Sequence, residues 1–241
     1  MIELADKASS GHNTQRWIFR LFSDHIDILP DFSRALPVVD PNHRELFVSL
    51  GCAAENLCIA AAHKGWLCKL STSTDGIIHV GLSRQEGIEA PHFEQIARRQ
   101  TNRRCYNGSM ISDNALALLK KIPVEPGIGI HLFRKGTQAF DDIAALVYEG
   151  NRRQKGNQAF KAELRPWMRY NRKHQDETAD GLSYAVFGAP NLPRFMAEFI
   201  ISHSLDAEKQ NKTDRRNIDS ASHFALFTTR DNRREHWVAL G

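Results

Sequence analysis

The sequence predicts an α+β fold, an antiparallel-rich sheet flanked by helices and arranged as two pseudo-repeated halves. Three observations carry this. Short alternating apolar runs recur between turn residues, the pattern of hairpin strands. One long alanine-rich stretch carries apolar residues three and four apart, the pattern of a buried helix. An octamer is also echoed. Arg44-Glu45-Leu46-Phe47-Val48-Ser49-Leu50-Gly51 returns as Arg234-Glu235-His236-Trp237-Val238-Ala239-Leu240-Gly241, with five of the eight residues identical. Internal repetition is weighed first because it sets the fold.

From the N-terminus, residues 17–22 read as a strand, with Trp17, Phe19 and Leu21 alternating against Ile18, Arg20 and Phe22. Ser23 and Asp24 turn the chain into a second strand, residues 26–29, which completes a hairpin. Asp40 supplies an N-cap and Pro41 a first helical residue. The helix is expected to run to about Lys64 and to stop at Gly65. Leu46, Leu50, Ala53, Leu57 and Ala61 share one face, and Gly51, Ala54 and Ala60 admit a closely packed neighbour. Two further strands, 66–70 and 77–80, flank a turn. Residues 93–99 predict a short helix, Ser112 caps another, 128–133 alternate as a strand, and 138–149 are helical. Residues 151–175 are polar and basic without a clear period; 195–203 are mainly apolar, 205–217 read as a charged loop, and 223–229 as a strand.

The halves meet near Pro91, giving 1–91 and 92–241. In the first, the octamer continues into the alanine-rich helix. The second stops at the octamer, so it is expected to be C-terminally incomplete. Phe224, Leu226, Trp237 and Leu240 would then lie at the surface, with a homodimer as one way of covering them.

A hydrophobic content of 41% and a charged content of 25% exclude wholesale disorder. The net charge of +4 suits an anionic ligand and is too small to call for nucleic acid by itself. No apolar run is expected to approach the roughly 18 residues that span a bilayer. The N-terminus has no apolar signal core, so a cytoplasmic protein is expected. Cys52, Cys58, Cys68 and Cys105 form no Cys-x-x-Cys pair and are read as reduced. The histidines lack ligand spacing, so no metal is expected.

Two constellations carry chemistry. Residues 9–17 hold Ser9, Ser10, His12, Asn13, Thr14 and Gln15 ahead of Trp17, a dense set of donors and acceptors suited to the heteroatom edge of a planar polar ligand. By residue chemistry alone the stretch is equally an ordinary polar loop. Arg99, Thr101 and Arg103 alternate along a segment that, if extended, points them to one side, two guanidiniums and a hydroxyl converging on a phosphate. Residue chemistry alone reads them more simply as a solvated basic helix end.

The first constellation resembles the flavin-contacting Pro-Ser-Ser-x-Asn-x-Gln-Pro-Trp segment of nitroreductases. Ser10, Asn13, Gln15 and Trp17 match it, while Ser9 and Arg16 stand where that family usually has proline and Gly11 replaces the second serine. The second is similar to the family's Arg-x-Ser-x-Arg opening, with threonine for serine. Residues 98–106, including Arg104, together with 163–170 and 180–182, resemble the second half of the Acg-type subgroup, in which two nitroreductase-like halves are fused. The resemblance implies FMN as cofactor, bound between the halves or at a dimer interface. It implies Ser9, Ser10, His12, Asn13, Gln15, Arg99, Thr101, Arg103 and Arg104 as its contacts, with no side chain acting as a catalytic group.

The expected activity is an FMN-dependent oxidoreductase that moves electrons from NAD(P)H to a small electron-poor acceptor such as a nitroaromatic or quinone. The absence of a Gly-x-Gly-x-x-Gly motif makes the nicotinamide a visiting substrate. A second expectation is a non-catalytic protein that sequesters flavin, with loops at 151–175 or 206–217 as lids. A third is nucleic-acid binding through residues 151–175, where Phe160, Trp167 and Tyr170 interleave with basic residues.

Overall fold

In the computed structural model, which describes every residue except 188 and 205–206, the chain falls into two units. The first is Met1–Thr101 joined by Thr229–Gly241, and the second is Asn102–Thr228. This partition differs from the halves drawn at residue 91, because the segment carrying the second octamer belongs with the first unit.

The first unit begins with a single helical turn, α1 (Ile2–Ala5), followed by the polar loop and strand β1 (Trp17–Leu21). β2 (His25–Pro30) returns antiparallel, with Trp17 opposite Pro30. After α2 (Arg44–His63) come β3 (Trp66–Thr72) and β4 (Ile78–Arg84), then α3 (Phe93–Arg98). The four strands form one antiparallel sheet in the order β1-β2-β4-β3. Ile26 pairs with Val80 and Ile28 with Ile78, all four buried, which fixes the register by cross-strand apolar contact. α2 covers this face. Its Leu46, Leu50, Ala53 and Leu57 are fully buried, as their spacing predicts. Each buried leucine contributes roughly 1.5–3 kcal/mol by removal from water.

The helix starts later than its sequence signals suggest. Pro41 lies outside it and α2 opens at Arg44, preceded by His43 in a left-handed conformation at φ 60°. Asp40 caps from a distance: its two carboxylate oxygens accept from the amides of Glu45 at 3.1 Å and Leu46 at 2.9 Å. At the other end Gly65, at φ +74°, closes the helix as expected. At 20 residues α2 is also the one described helix apolar and long enough to cross a membrane by composition, contrary to the reading of no such run. Its buried positions serve the core of this unit.

The second unit contains α4 (Asp113–Leu119), β5 (Ile128–Arg134), α5 (Gln138–Gly156), α6 (Gln158–Leu164), β6 (Met168–Arg169), α7 (Arg172–Thr178), β7 (Leu182–Ser183), α8 (Arg194–Ser204), α9 (Ala207–Ser220) and β8 (His223–Thr229). Its strands form two pairs, β5 with β8 and the parallel β6 with β7. The strands are thus divided among separate sheets, where one central sheet was expected. Side-chain caps organise the helices. The Ser112 hydroxyl accepts from Ala115 N at 3.3 Å, Asn157 Oδ1 from Ala159 N at 2.9 Å, and Asn171 Oδ1 from His174 N at 2.9 Å. The unpatterned stretch 151–175 therefore resolves into the end of α5, all of α6 and most of α7.

The charged loop expected over 205–217 is helix α9 from Ala207 onward, its first two residues lying outside the described set. It pairs with α5 through polar contacts: Asn151 Nδ2 donates to Asn211 Oδ1 at 2.8 Å and Asp214 Oδ2 at 2.6 Å. Phe140, Ala144 and Ile218 form the apolar centre of the pair.

Segment 229–241 carries α10 (Arg234–Leu240), which lies against α2. The two octamers meet reciprocally. A Cβ added to Gly51 would fall 2.0 Å from the Val238 carbonyl oxygen, and one added to Gly241 would fall 2.0 Å from that of Val48. Val48 and Val238 are equivalent octamer positions, as are Gly51 and Gly241. Phe47 and Trp237, equivalent again, stack at 6.2 Å between centroids. Trp237 is thereby only 8% exposed, so the expectation that it stands at the surface is corrected, whereas Leu226 is exposed.

Gly51→Ala is expected to cost about 1–3 kcal/mol by forcing the helices apart. Gly150→Ala in α5, where an added Cβ meets nothing within 4 Å, should be stabilising by about 0.5–1 kcal/mol. Urea denaturation of both variants checks the contrast. The thiols give a second expectation. The Cys58 thiol on α2 donates to the sulfur of Cys68 on β3, which holds Cys68 below the ordinary thiol range and, with burial, pushes Cys58 up. Near pH 8, alkylation of Cys68 should outpace that of Cys58, and Cys58→Ala should slow Cys68, as read by peptide mass mapping.

Candidate functional site

The polar loop is built on a buried cation. Arg16 is fully buried at the end of the loop, and its Nη1 pairs with Asp40 Oδ2 at 3.2 Å. Its Nε donates to the Thr14 hydroxyl at 2.7 Å, and that hydroxyl donates to the Gly11 carbonyl at 2.9 Å. Arg16 Nη2 reaches toward Glu45 at 3.6 Å, where burial pushes the Glu45 carboxyl above its ordinary value. From the far side, Arg34 Nε donates to the Thr14 carbonyl at 2.6 Å. Asp40 therefore joins three elements at once: it caps α2, neutralises Arg16 and, through Arg16, fixes Thr14.

This anchoring holds a strained backbone. His12, Asn13 and Gln15 have φ of 53°, 53° and 50°, in the left-handed region that non-glycine residues avoid. Three such residues within four positions cost of order 1–3 kcal/mol each and persist only where surrounding contacts over-determine them. Gly11 can sit against Arg16 because it has no Cβ; one would fall 2.0 Å from Nη2.

The structure brings Ser9, Ser10, His12, Asn13 and Gln15 together on this loop. Ser9 is exposed and its hydroxyl donates to Cys52 Sγ at 3.7 Å, which lays the loop along α2. The Ser10 hydroxyl accepts from the Gln15 amide at 2.9 Å. His12, Asn13 and Gln15 are half-buried. Arg99 joins the same region: its Nη2 donates to the Lys7 carbonyl at 3.1 Å, two residues before Ser9. Thr101 is exposed and ends the first unit. Arg103 and Arg104 belong to the second unit, where Asn217 Nδ2 of α9 donates to the Arg103 carbonyl at 3.4 Å. The alternating triad thus straddles the division between units.

The basic segment 151–175 is largely helical, and part of its charge is paired. Glu149 pairs with Arg152 and Arg153, and Arg172 and Lys173 pair with Asp176 and Glu177. Of the three interleaved aromatics, Phe160 and Tyr170 are buried, which removes them as stacking platforms, and Trp167 is half-buried. Arg169 is buried against Asp180. Both segments expected as loop lids are largely helical.

Sequence reasoning missed Arg16, Asp40 as its partner, and Arg34. Arg16 stands where the resembled motif has proline, a substitution that by itself says only that a cation was admitted. The signal that could have found it is the pairing of a lone cation beside a strand with an acid at a helix start.

No protein-family model matches the chain. Two curated proteins from two strains of Mycobacterium tuberculosis, each named "putative NAD(P)H nitroreductase", are 25% identical to it over 174 residues, 69% of this chain. The chain spans about half the length of these relatives, 49% of each.

Asp40→Asn should be strongly destabilising, by about 3–5 kcal/mol, because it leaves the Arg16 charge buried with a weakened partner. Chemical denaturation measures this, and a loss under about 1 kcal/mol would show that the pair is not the anchor of the loop.

Proposed function

We propose that the chain is an FMN-binding oxidoreductase of nitroreductase type. It would take electrons from NAD(P)H and pass them to an electron-poor acceptor, a nitroaromatic or quinone. The single observation that carries this is the strained polar loop: donors and acceptors on Ser9, Ser10, His12, Asn13 and Gln15 are held in one place by a fully buried arginine. Distant likeness to proteins named for NAD(P)H-dependent nitro reduction supports the reaction class.

The donor set fits a flavin. Amide and hydroxyl groups that both give and accept suit the alternating heteroatoms of the ring edge and the ribityl hydroxyls. Bound FMN supplies the redox chemistry itself. The chain's part is to bind and orient. The loop presents polar groups whose positions are fixed before the ligand arrives, which lowers the ordering cost of binding. Arg99, held at Lys7 beside the loop, supplies positive charge for the phosphate, and Thr101, Arg103 and Arg104 follow it in the chain. We read the two octamers as equivalent positions of a duplicated unit, on the strength of their reciprocal glycine contacts.

Purified protein titrated with FMN should quench flavin fluorescence, and Asn13→Ala should weaken binding by roughly 1–3 kcal/mol through unpaired flavin groups. FMN should bind more tightly than riboflavin by at least about 1.5 kcal/mol, with Arg99→Ala eroding that preference and sparing riboflavin. Equal binding of the two flavins removes the phosphate grip. Bleaching of bound flavin by NADH under anaerobic conditions supports the oxidoreductase; a bound flavin that NADH cannot bleach is the mark of sequestration.

A further inference from the structure

A cleft of about 830 Å³ opens in the first unit where the N-terminal ends of α2 and α10 come together, away from the polar loop's hydroxyl and amide groups. Its lining repeats the octamer relation. Asn42 and Arg44 lie at the start of one copy, and Asn232 and Arg234 lie at the same offsets from the other. All four face one space, with Thr74 beside them and Trp237 as its wall. The reciprocal Gly51 and Gly241 contacts explain the convergence: equivalent helix positions cross, so equivalent leading residues meet.

The charge balance selects the ligand. Two carboxylates line the cleft, and both are spoken for. Asp40 is held by Arg16 and two backbone amides. Glu235 is held by Arg233 at 2.6 Å. Among the described residues neither Arg44 nor Arg234 has a carboxylate within ion-pair distance. Arg234 is positioned by its Cζ 5.2 Å from the Phe47 ring centroid and by its Nη1, which donates to the Asp75 carbonyl at 3.3 Å. Glu45 and Asp75 act on Arg44 and Arg234 only from beyond ion-pair distance, so both guanidinium forks keep donors open to an anion, each with an asparagine amide close by in sequence. Guanidinium forks match phosphate oxygens bidentately.

We propose that this cleft binds a diphosphate group, one phosphate on each Asn/Arg set. A bare diphosphate fills only a small part of the volume, so the remaining space is for an organic substituent on one phosphate. This proposal uses none of the residues assigned to the flavin and stands or falls separately from that reading.

The test is isothermal titration of the full chain with inorganic pyrophosphate, inorganic phosphate, ADP and succinate at matched ionic strength. Pyrophosphate should bind at least tenfold more tightly than phosphate or succinate, and ADP at least as tightly as pyrophosphate. Arg44→Gln and Arg234→Gln should each weaken pyrophosphate at least fivefold, while Arg152→Gln on α5 leaves it unchanged. Arg234 also rests on Phe47, so its variant is first checked by thermal unfolding; if it does not fold, Arg44→Gln, whose side chain is exposed, decides. Absent binding, equal affinity for phosphate or succinate, weaker binding of ADP than of pyrophosphate, or pyrophosphate affinity untouched by Arg44→Gln overturns the proposal.

Discussion

A guanidinium with no access to water must be paired, and Arg16 meets that demand through Asp40. The requirement organises the first unit. Asp40 can neutralise Arg16 only if the chain after β2 returns across the start of α2, and it does so while accepting two of that helix's open amides. Removing either residue would leave the other as a buried charge, so the pair acts as a constraint on geometry more than as a source of net stability. Loop, hairpin and helix are thereby fixed to one another at a single point.

The constraint also accounts for where strain is tolerated. Left-handed backbone at His12, Asn13 and Gln15 is unfavourable locally, and it lies within four residues of the buried arginine. Thr14, itself fully buried, sits among the three strained residues and passes the anchoring on to them through its hydroxyl and carbonyl. Binding residues commonly sit on loops that a rigid scaffold positions. Here an ion pair fixes the base of the loop, and the residues beside it are those proposed to contact the flavin.

Much of this was legible in the sequence. Strands β1 to β5 and β8 follow runs of apolar and β-favouring residues, because a half-buried strand must alternate. The core face of α2 follows its leucine spacing. Three things were not legible. Helix α9 is so polar that composition argues for a loop; it is ordered by asparagine and aspartate contacts to α5 that no local pattern reveals. The start of α2 was misplaced because Asp40 caps from four residues upstream, across a turn, and not from the adjacent position. The polar loop was recognised by its hydroxyl and amide residues, while Arg16, which holds it, became visible only through its burial. The echo between octamers was plain as text, yet that the two copies pack on each other is a tertiary fact.

The discontinuity of the first unit bears on how the protein is made. Segment 229–241 completes a core begun by residues 1–101, with the whole second unit intervening. During synthesis the α2 surface around Phe47 and Gly51 emerges long before Trp237 and Val238 exist to cover it. At bacterial or eukaryotic elongation rates of about 5–20 residues per second, that surface stays bare for several seconds or more. The early chain must hold its sheet together without α10, and contacts of such wide sequence separation form late and slowly. A nascent chain stalled before residue 229 is thus a natural client for chaperones that recognise exposed aromatic surface.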